Sequence, residues 1–139
     1  MSKPFLICII DDDDIFRYTM KRHLGTLKIP QKILAFPDGE QAINFMVDNV
    51  GNSQTLPDII FLDINMPIMD GFQFMEEYVK LKPRVGKKIT VYMISSSVNP
   101  TDLEKAKGIT EISDYLIKPI EPEKLGELIQ LLDDEGKLN

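Results

Sequence analysis

The chain has 139 residues, a net charge of −6 and one cysteine. That length suits a single domain with a sizeable core, the acidity argues against direct contact with nucleic acid or an anionic membrane, and a lone Cys8 forms no internal disulfide. The start, Met1-Ser2-Lys3-Pro4, leads into an apolar run too short for a signal peptide or a membrane span, so a cytoplasmic location is expected.

The first predicted strand, Phe5 to Ile10, ends abruptly in four aspartates, Asp11 to Asp14. Cys8 sits within this apolar run and reads as a small buried hydrophobe. Phe16, Met20, Leu24 and Leu27 then recur on one helical face. A second strand, Lys32 to Phe36, precedes Asp38 and Gln41, whose spacing reads as a capping-box variant opening a helix. The segments Gly51 to Pro57 and Lys82 to Lys88 are expected to be surface loops. The third and fourth strands are Asp58 to Leu62 and Ile89 to Ser95, and their continuous apolar character suits strands covered on both faces. Asn99-Pro100 opens a helix with a weak apolar stripe, and Ser113 to Ile117 form the fifth strand. Glu121-Pro122 starts a last helix carrying Leu125, Leu128, Ile129 and Leu132 on one side.

Strand and helix therefore alternate five times, which predicts a doubly wound α/β sandwich, with right-handed crossovers laying helices on both faces of a parallel sheet. One domain is expected over residues 1–139, with its core at about 4–132 and a polar tail, Asp133 to Asn139, that could form no output domain.

Such a sheet gathers the carboxyl ends of its strands along one edge, and chemistry-bearing residues recur there. Asp11 and Asp12 follow the first strand, Asp63 the third, Ser95 the fourth and Lys118 the fifth. Three carboxylates drawn together repel unless a cation joins them, and oxygen ligands favour a hard divalent ion such as magnesium. The combination predicts a metal-assisted phosphoryl site.

The strings Ile9-Ile10-Asp11-Asp12-Asp13, Leu62-Asp63-Ile64-Asn65-Met66-Pro67-Ile68-Met69-Asp70-Gly71, Met93-Ile94-Ser95-Ser96 and Tyr115-Leu116-Ile117-Lys118-Pro119 resemble, in order and spacing, the receiver domain of two-component response regulators. The resemblance covers nearly the whole chain and is most specific in the Asp63 to Gly71 string. It implies a flavodoxin-like sheet in the order 2-1-3-4-5 with five helices, as in the chemotaxis regulators. It makes Asp63 the phosphoacceptor, Lys118 the amine that pairs with Asp63 at rest and with phosphoryl oxygens later, Ser95 the switch hydroxyl and Tyr115 the aromatic switch. Asp11, Asp12, Asp63 and the backbone carbonyl of Asn65 would hold Mg2+, Asp12 as a direct ligand and Asp11 through a metal-bound water, with Mn2+ as a substitute. In this family the bond before Pro119 is cis and aims the lysine inward. Asp13 and Asp14 are expected to serve the first helical turn instead.

The implied function is a phosphoacceptor switch of a two-component system or phosphorelay. A histidine kinase or histidine phosphotransfer protein would supply the phosphoryl group, and a downstream target protein would read the face built from the fourth helix, fifth strand and fifth helix. The chain would then be no enzyme beyond its own phosphorylation and dephosphorylation, and a monomer or a phosphorylation-dependent dimer. The alternative is a magnesium-dependent phosphatase with an aspartyl nucleophile acting on an outside substrate, but such enzymes usually carry a second acid where Asn65 stands. Two features depart from the family pattern: Gly108 to Asp114 replaces the usual turn before the fifth strand, and serine stands at the switch where threonine is commoner. No EF-hand, phosphate-binding glycine loop or serine-hydrolase motif is present, and the lone His23 is expected on a solvated helix face.

Overall fold

The computed structural model describes residues 4–134, so the readings of residues 1–3 and of the tail at 135–139 lie outside the described residues. Five parallel strands, β1 (Phe5–Ile10), β2 (Gln31–Phe36), β3 (Ile59–Asp63), β4 (Thr90–Ser95) and β5 (Ile112–Ile117), lie in the order β2-β1-β3-β4-β5. The five helices are α1 (Asp14–Gly25), α2 (Gly39–Asp48), α3 (Gly71–Val85), α4 (Pro100–Lys107) and α5 (Pro122–Asp134). β1, β3 and β4 are buried at every position, as their unbroken apolar runs require of strands covered on both faces. Side chains alternate across the sheet, so Ile7, Ile9 and Phe61 pack with Phe16 and Met20 of α1 and Leu125 of α5. On the other face Ile10, Ile60 and Leu62 pack with Met46 of α2 and Phe74 and Met75 of α3.

The helix starts follow from their caps. Asp13 accepts hydrogen bonds from the backbone N–H groups of Ile15 and Phe16, which frees Asp11 and Asp12 from capping duty, and Asp14 lies in the first turn. Asn99 caps α4 ahead of Pro100. At Asp38 only half of the expected box forms: its carboxylate accepts the Gln41 N–H at 2.8 Å, but the Gln41 side chain returns to the carboxylate and not to the backbone. The complete reciprocal box is at Asp70 and Gln73, opening α3.

Three expectations are corrected. Lys82 to Lys88 is no loop over its first half, because α3 continues to Val85. Leu81 and Val85 prolong its buried stripe, exposed Pro83 sacrifices one hydrogen bond on the solvent side, and Gly86, at φ 78°, ends the helix. β5 starts one residue early, at Ile112. Its register slips against β4 between Val91 and Tyr92, so the unusual Gly108 to Asp114 segment ends in a bulge at Ser113. His23 is half-buried, with Nδ1 shut off from solvent and unpartnered, and is not on a solvated face.

Candidate functional site

The strand order places the ends of β1, β3, β4 and β5 side by side, and the predicted residues meet there. Carboxylate oxygens of Asp11, Asp12 and Asp63 lie within 4.8 Å of one another, with Asp11 and Asp63 buried and Asp12 exposed. Lys118 reaches over from the end of β5 and forms ion pairs with Asp11 at 2.7 Å and Asp63 at 3.5 Å. The resting lysine thus sits nearer Asp11 than Asp63, where the family resemblance led us to expect Asp63 as its partner. Its peptide bond to Pro119 is cis, and its backbone N–H donates to the Ser95 carbonyl at 2.8 Å, tying β5 to β4 at the site.

Two carboxylates this close inside a fold cannot both ionise freely. Burial, reinforced by the charge of Asp11 and opposed by Lys118, pushes the pKa of Asp63 up to about 6. Asp11 is raised too, again chiefly by burial, while its contact with Lys118 and the Asp13 N–H pull the other way. For Lys118 burial acts downward, but the pairing with Asp11 and Asp63 outweighs it and holds the amine above its ordinary value.

The remaining predicted residues are arranged less directly. Ser95 is buried, and its Oγ accepts the Ser97 N–H at 3.3 Å, which leaves the hydroxyl hydrogen for another acceptor. Tyr115 is half-buried and its hydroxyl donates a long 3.4 Å bond to the Ser97 carbonyl, so both switch candidates engage the same β4–α4 loop. Asn65 is exposed, two residues beyond Asp63.

Several contributors escaped the sequence reading. Gly71 lies against the backbone of Asp63: a Cβ there would stand 2.5 Å from the Asp63 carbonyl oxygen and 3.0 Å from the Ile64 Cα. Glycine is what lets α3 begin directly behind the acid. Gly39 plays the same part for α2, whose N–H donates to the Met69 carbonyl where a Cβ would stand 2.8 Å away. Arg17 donates to the Asp11 carbonyl at 2.6 Å, and Lys118 Nζ lies 4.4 Å from the centre of the Phe16 ring. The apolar stripe of α1 marked Phe16 as a core residue, but no local signal in the sequence marked either contact.

Residues 7–130 match the response regulator receiver domain, and the chain belongs to that family, whose setting is two-component signalling. The probable methanogenesis regulatory protein FilR2 of Methanothrix harundinacea (strain 6Ac) is 26% identical over 127 residues, 91% of this chain and 80% of that protein. A two component response regulator from Cytophaga hutchinsonii superposes with a TM-score of 0.82 at 26% identity, covering 95% of this chain and 98% of that one. The Mn(2+)-bound form of response regulator Rcp1 shares the fold, with a TM-score of 0.73 at 23% identity over 94% of this chain and 93% of its own. The chain spans only 41% and 49% of the lengths of two other curated relatives, which extend well beyond the matched part. No separate effector enzyme domain is evident among the described residues, and none of their helices is long and apolar enough to cross a membrane.

Proposed function

We propose that Asp63 accepts a phosphoryl group from the phosphohistidine of a histidine kinase or histidine phosphotransfer protein, and that the Ser95 and Tyr115 face reports the event to a protein partner. The observation that supports this most is the bridging of Asp11 and Asp63 by Lys118 beside the exposed Asp12. The donor set is oxygen only, and one ammonium faces three carboxylates, so the residues fit a hard divalent cation. Asp11, Asp12, Asp63 and the Asn65 carbonyl would hold Mg2+ or Mn2+, and Rcp1, which shares the fold, is known in a Mn(2+)-bound form. When bound, the ion supplies positive charge for the phosphoryl oxygens.

The protein's own residues do the rest. An Asp63 oxygen attacks phosphorus in line, the new O–P bond forms as the P–N bond to the donor imidazole breaks, and the imidazole departs. Lys118 needs only to swing from Asp11 toward the phosphoryl oxygens to neutralise them. The Ser95 hydroxyl can donate to one of those oxygens. Its movement disturbs the Ser97 N–H contact, and through the Ser97 carbonyl it reaches the Tyr115 hydroxyl. Asn65 stands where an outside-substrate phosphatase needs its second acid, which favours a switch over a turnover enzyme.

The test is incubation with phosphoramidate and Mg2+, followed by mass spectrometry of the intact chain and its peptides. One phosphoryl adduct on Asp63, absent from Asp63→Asn and without EDTA-resistant formation, is expected. An adduct elsewhere, or none, rejects the assignment.

A further inference from the structure

Phe16 stands outside every role so far assigned to the site, yet its uncharged ring lies against the Lys118 ammonium. The amine lies 4.4 Å from the ring centre, inside the distance at which an aromatic face attracts a cation. Both partners are withdrawn from water: Phe16 is 9% exposed and the Lys118 side chain 15%. The ring is also held in place. Its backbone N–H is capped by Asp13, the last acid before α1, and its side chain packs in the core between α1 and α5. A flexible lysine at the end of β5 thus meets a fixed ring at the start of α1.

We propose that Phe16 is a positioning residue for phosphoryl transfer, its ring face holding the Lys118 ammonium over Asp63. This rests on the reading that Asp63 accepts the phosphoryl group and Lys118 neutralises it. The physical need is clear from the ion pairs. Asp11 is the nearer anion, 2.7 Å against 3.5 Å, and it is one of the carboxylates that a bound cation and its water would claim. Once that carboxylate is taken, Lys118 loses its closest partner and its long stem is free to turn to solvent. The ring competes for neither metal nor phosphoryl group, so its attraction persists through the change and keeps the amine at the site.

The experiment uses the full chain with phenylalanine, mono-, di- and trifluorophenylalanine at position 16, together with Phe16→Tyr and Phe16→Leu. Fluorine drains the ring face of electron density while nearly preserving its shape. Phosphorylation rate with phosphoramidate and Mg2+, the melting temperature, and the NMR signal and solvent exchange of the Lys118 amine in EDTA are measured. The logarithm of the rate should fall stepwise with fluorine number, about tenfold across the series, which is the loss of a desolvated cation–π contact. The lysine amine should exchange faster in the same order, Phe16→Tyr should keep the wild-type rate, and melting should change little among the aromatic forms. A flat rate and flat exchange across the fluorine series, with Phe16→Leu slowed only as far as it is destabilised, makes Phe16 a core residue and overturns the proposal. A wild-type chain with no adduct on Asp63 overturns the phosphoacceptor reading and this role with it. An adduct together with a flat series overturns the positioning role alone.

Discussion

Replacing Asp63 by asparagine removes one charge from the buried cluster and almost nothing else, so its effect on stability isolates the like-charge crowding. Burial and Asp11 raise the Asp63 pKa from 3.8 to about 6, so the folded chain holds its proton where the unfolded chain has lost it. Stability attached to this group is therefore fully present below 3.8, falls as the pH rises, and is gone above about 6. At 1.36 kcal/mol per pH unit the ionised group costs about 3 kcal/mol at neutral pH, and about 2 kcal/mol once counter-ions reaching the cluster past exposed Asp12 are allowed for. Asp63→Asn should recover that amount, while Lys118 keeps its nearer partner, Asp11. In a domain of this size the gain is about 6 to 8 °C in melting temperature. Melts in EDTA from pH 4 to 8 should show the two proteins converging at the acid end and separating through pH 6. Added Mg2+ should narrow the gap by stabilising the wild type more. A variant that melts lower at pH 7.5 without metal, or by the same margin at every pH, refutes the crowding argument.

Three further substitutions, two of them paired with a control, probe separate parts of the same architecture. Lys118→Met leaves Asp11 and Asp63 uncompensated and should cost about 3 kcal/mol in EDTA, more at pH 8 than at pH 5, as read by urea unfolding; no loss would mean the ion pairs carry no weight. Gly71→Ala drives a methyl group into the Asp63 carbonyl and the Ile64 Cα, and should cost about 3 kcal/mol and weaken Mg2+ binding in a calorimetric titration. Gly25→Ala, in open space within α1, is its control and should not destabilise. Ile68 holds a left-handed backbone, φ 69°, on an exposed side chain, so Ile68→Asn should gain about 1 kcal/mol where Ile68→Val gains nothing; equal melting of all three would dismiss the strain.

The sheet was legible because its message is local. Phe5 to Ile10 and Asp58 to Leu62 are apolar at nearly every position, and each ends on an acid, so strand, burial and site edge are written in one short run. The acidic cluster was legible for the same reason: parallel topology turns positions just past strand ends into neighbours. Illegible were the features that depend on which atoms meet across the fold. Pro83 looked like a breaker because the continued burial of Leu81 and Val85 is set by α3 packing on the sheet, and packing overrides propensity. Gly71 was one more letter of the string that begins at Leu62, and only the Asp63 carbonyl beneath it shows why a side chain is disfavoured there. Phe16 read as one more member of an apolar stripe, since nothing in α1 announces that a lysine a hundred residues away will lie over its ring.

The charge count at the site links its stability to its chemistry. Three carboxylates against one ammonium leave two negative charges in excess when all are ionised, so the resting fold carries an uncompensated field at the very edge where strands end. That field is what a divalent cation would relieve on binding, and the relief would appear both as cation affinity and as added fold stability, because the two are one linked free energy. Under the proposed function, a phosphoryl group on Asp63 would change that balance again. It would replace one carboxylate charge by nearly two, spread them over oxygens that reach farther from β3, and so shift the balance of attraction on Lys118 away from Asp11. On that reading Ser95, one strand over with its hydroxyl oxygen bonded to the Ser97 N–H of its own loop, would be the next donor those oxygens draw, and the loop it would release is the one whose Ser97 carbonyl also accepts from Tyr115. On the proposed function the same repulsion that weakens the resting fold would make the arrangement responsive, and a site neutralised by mutation should be more stable and less able to switch.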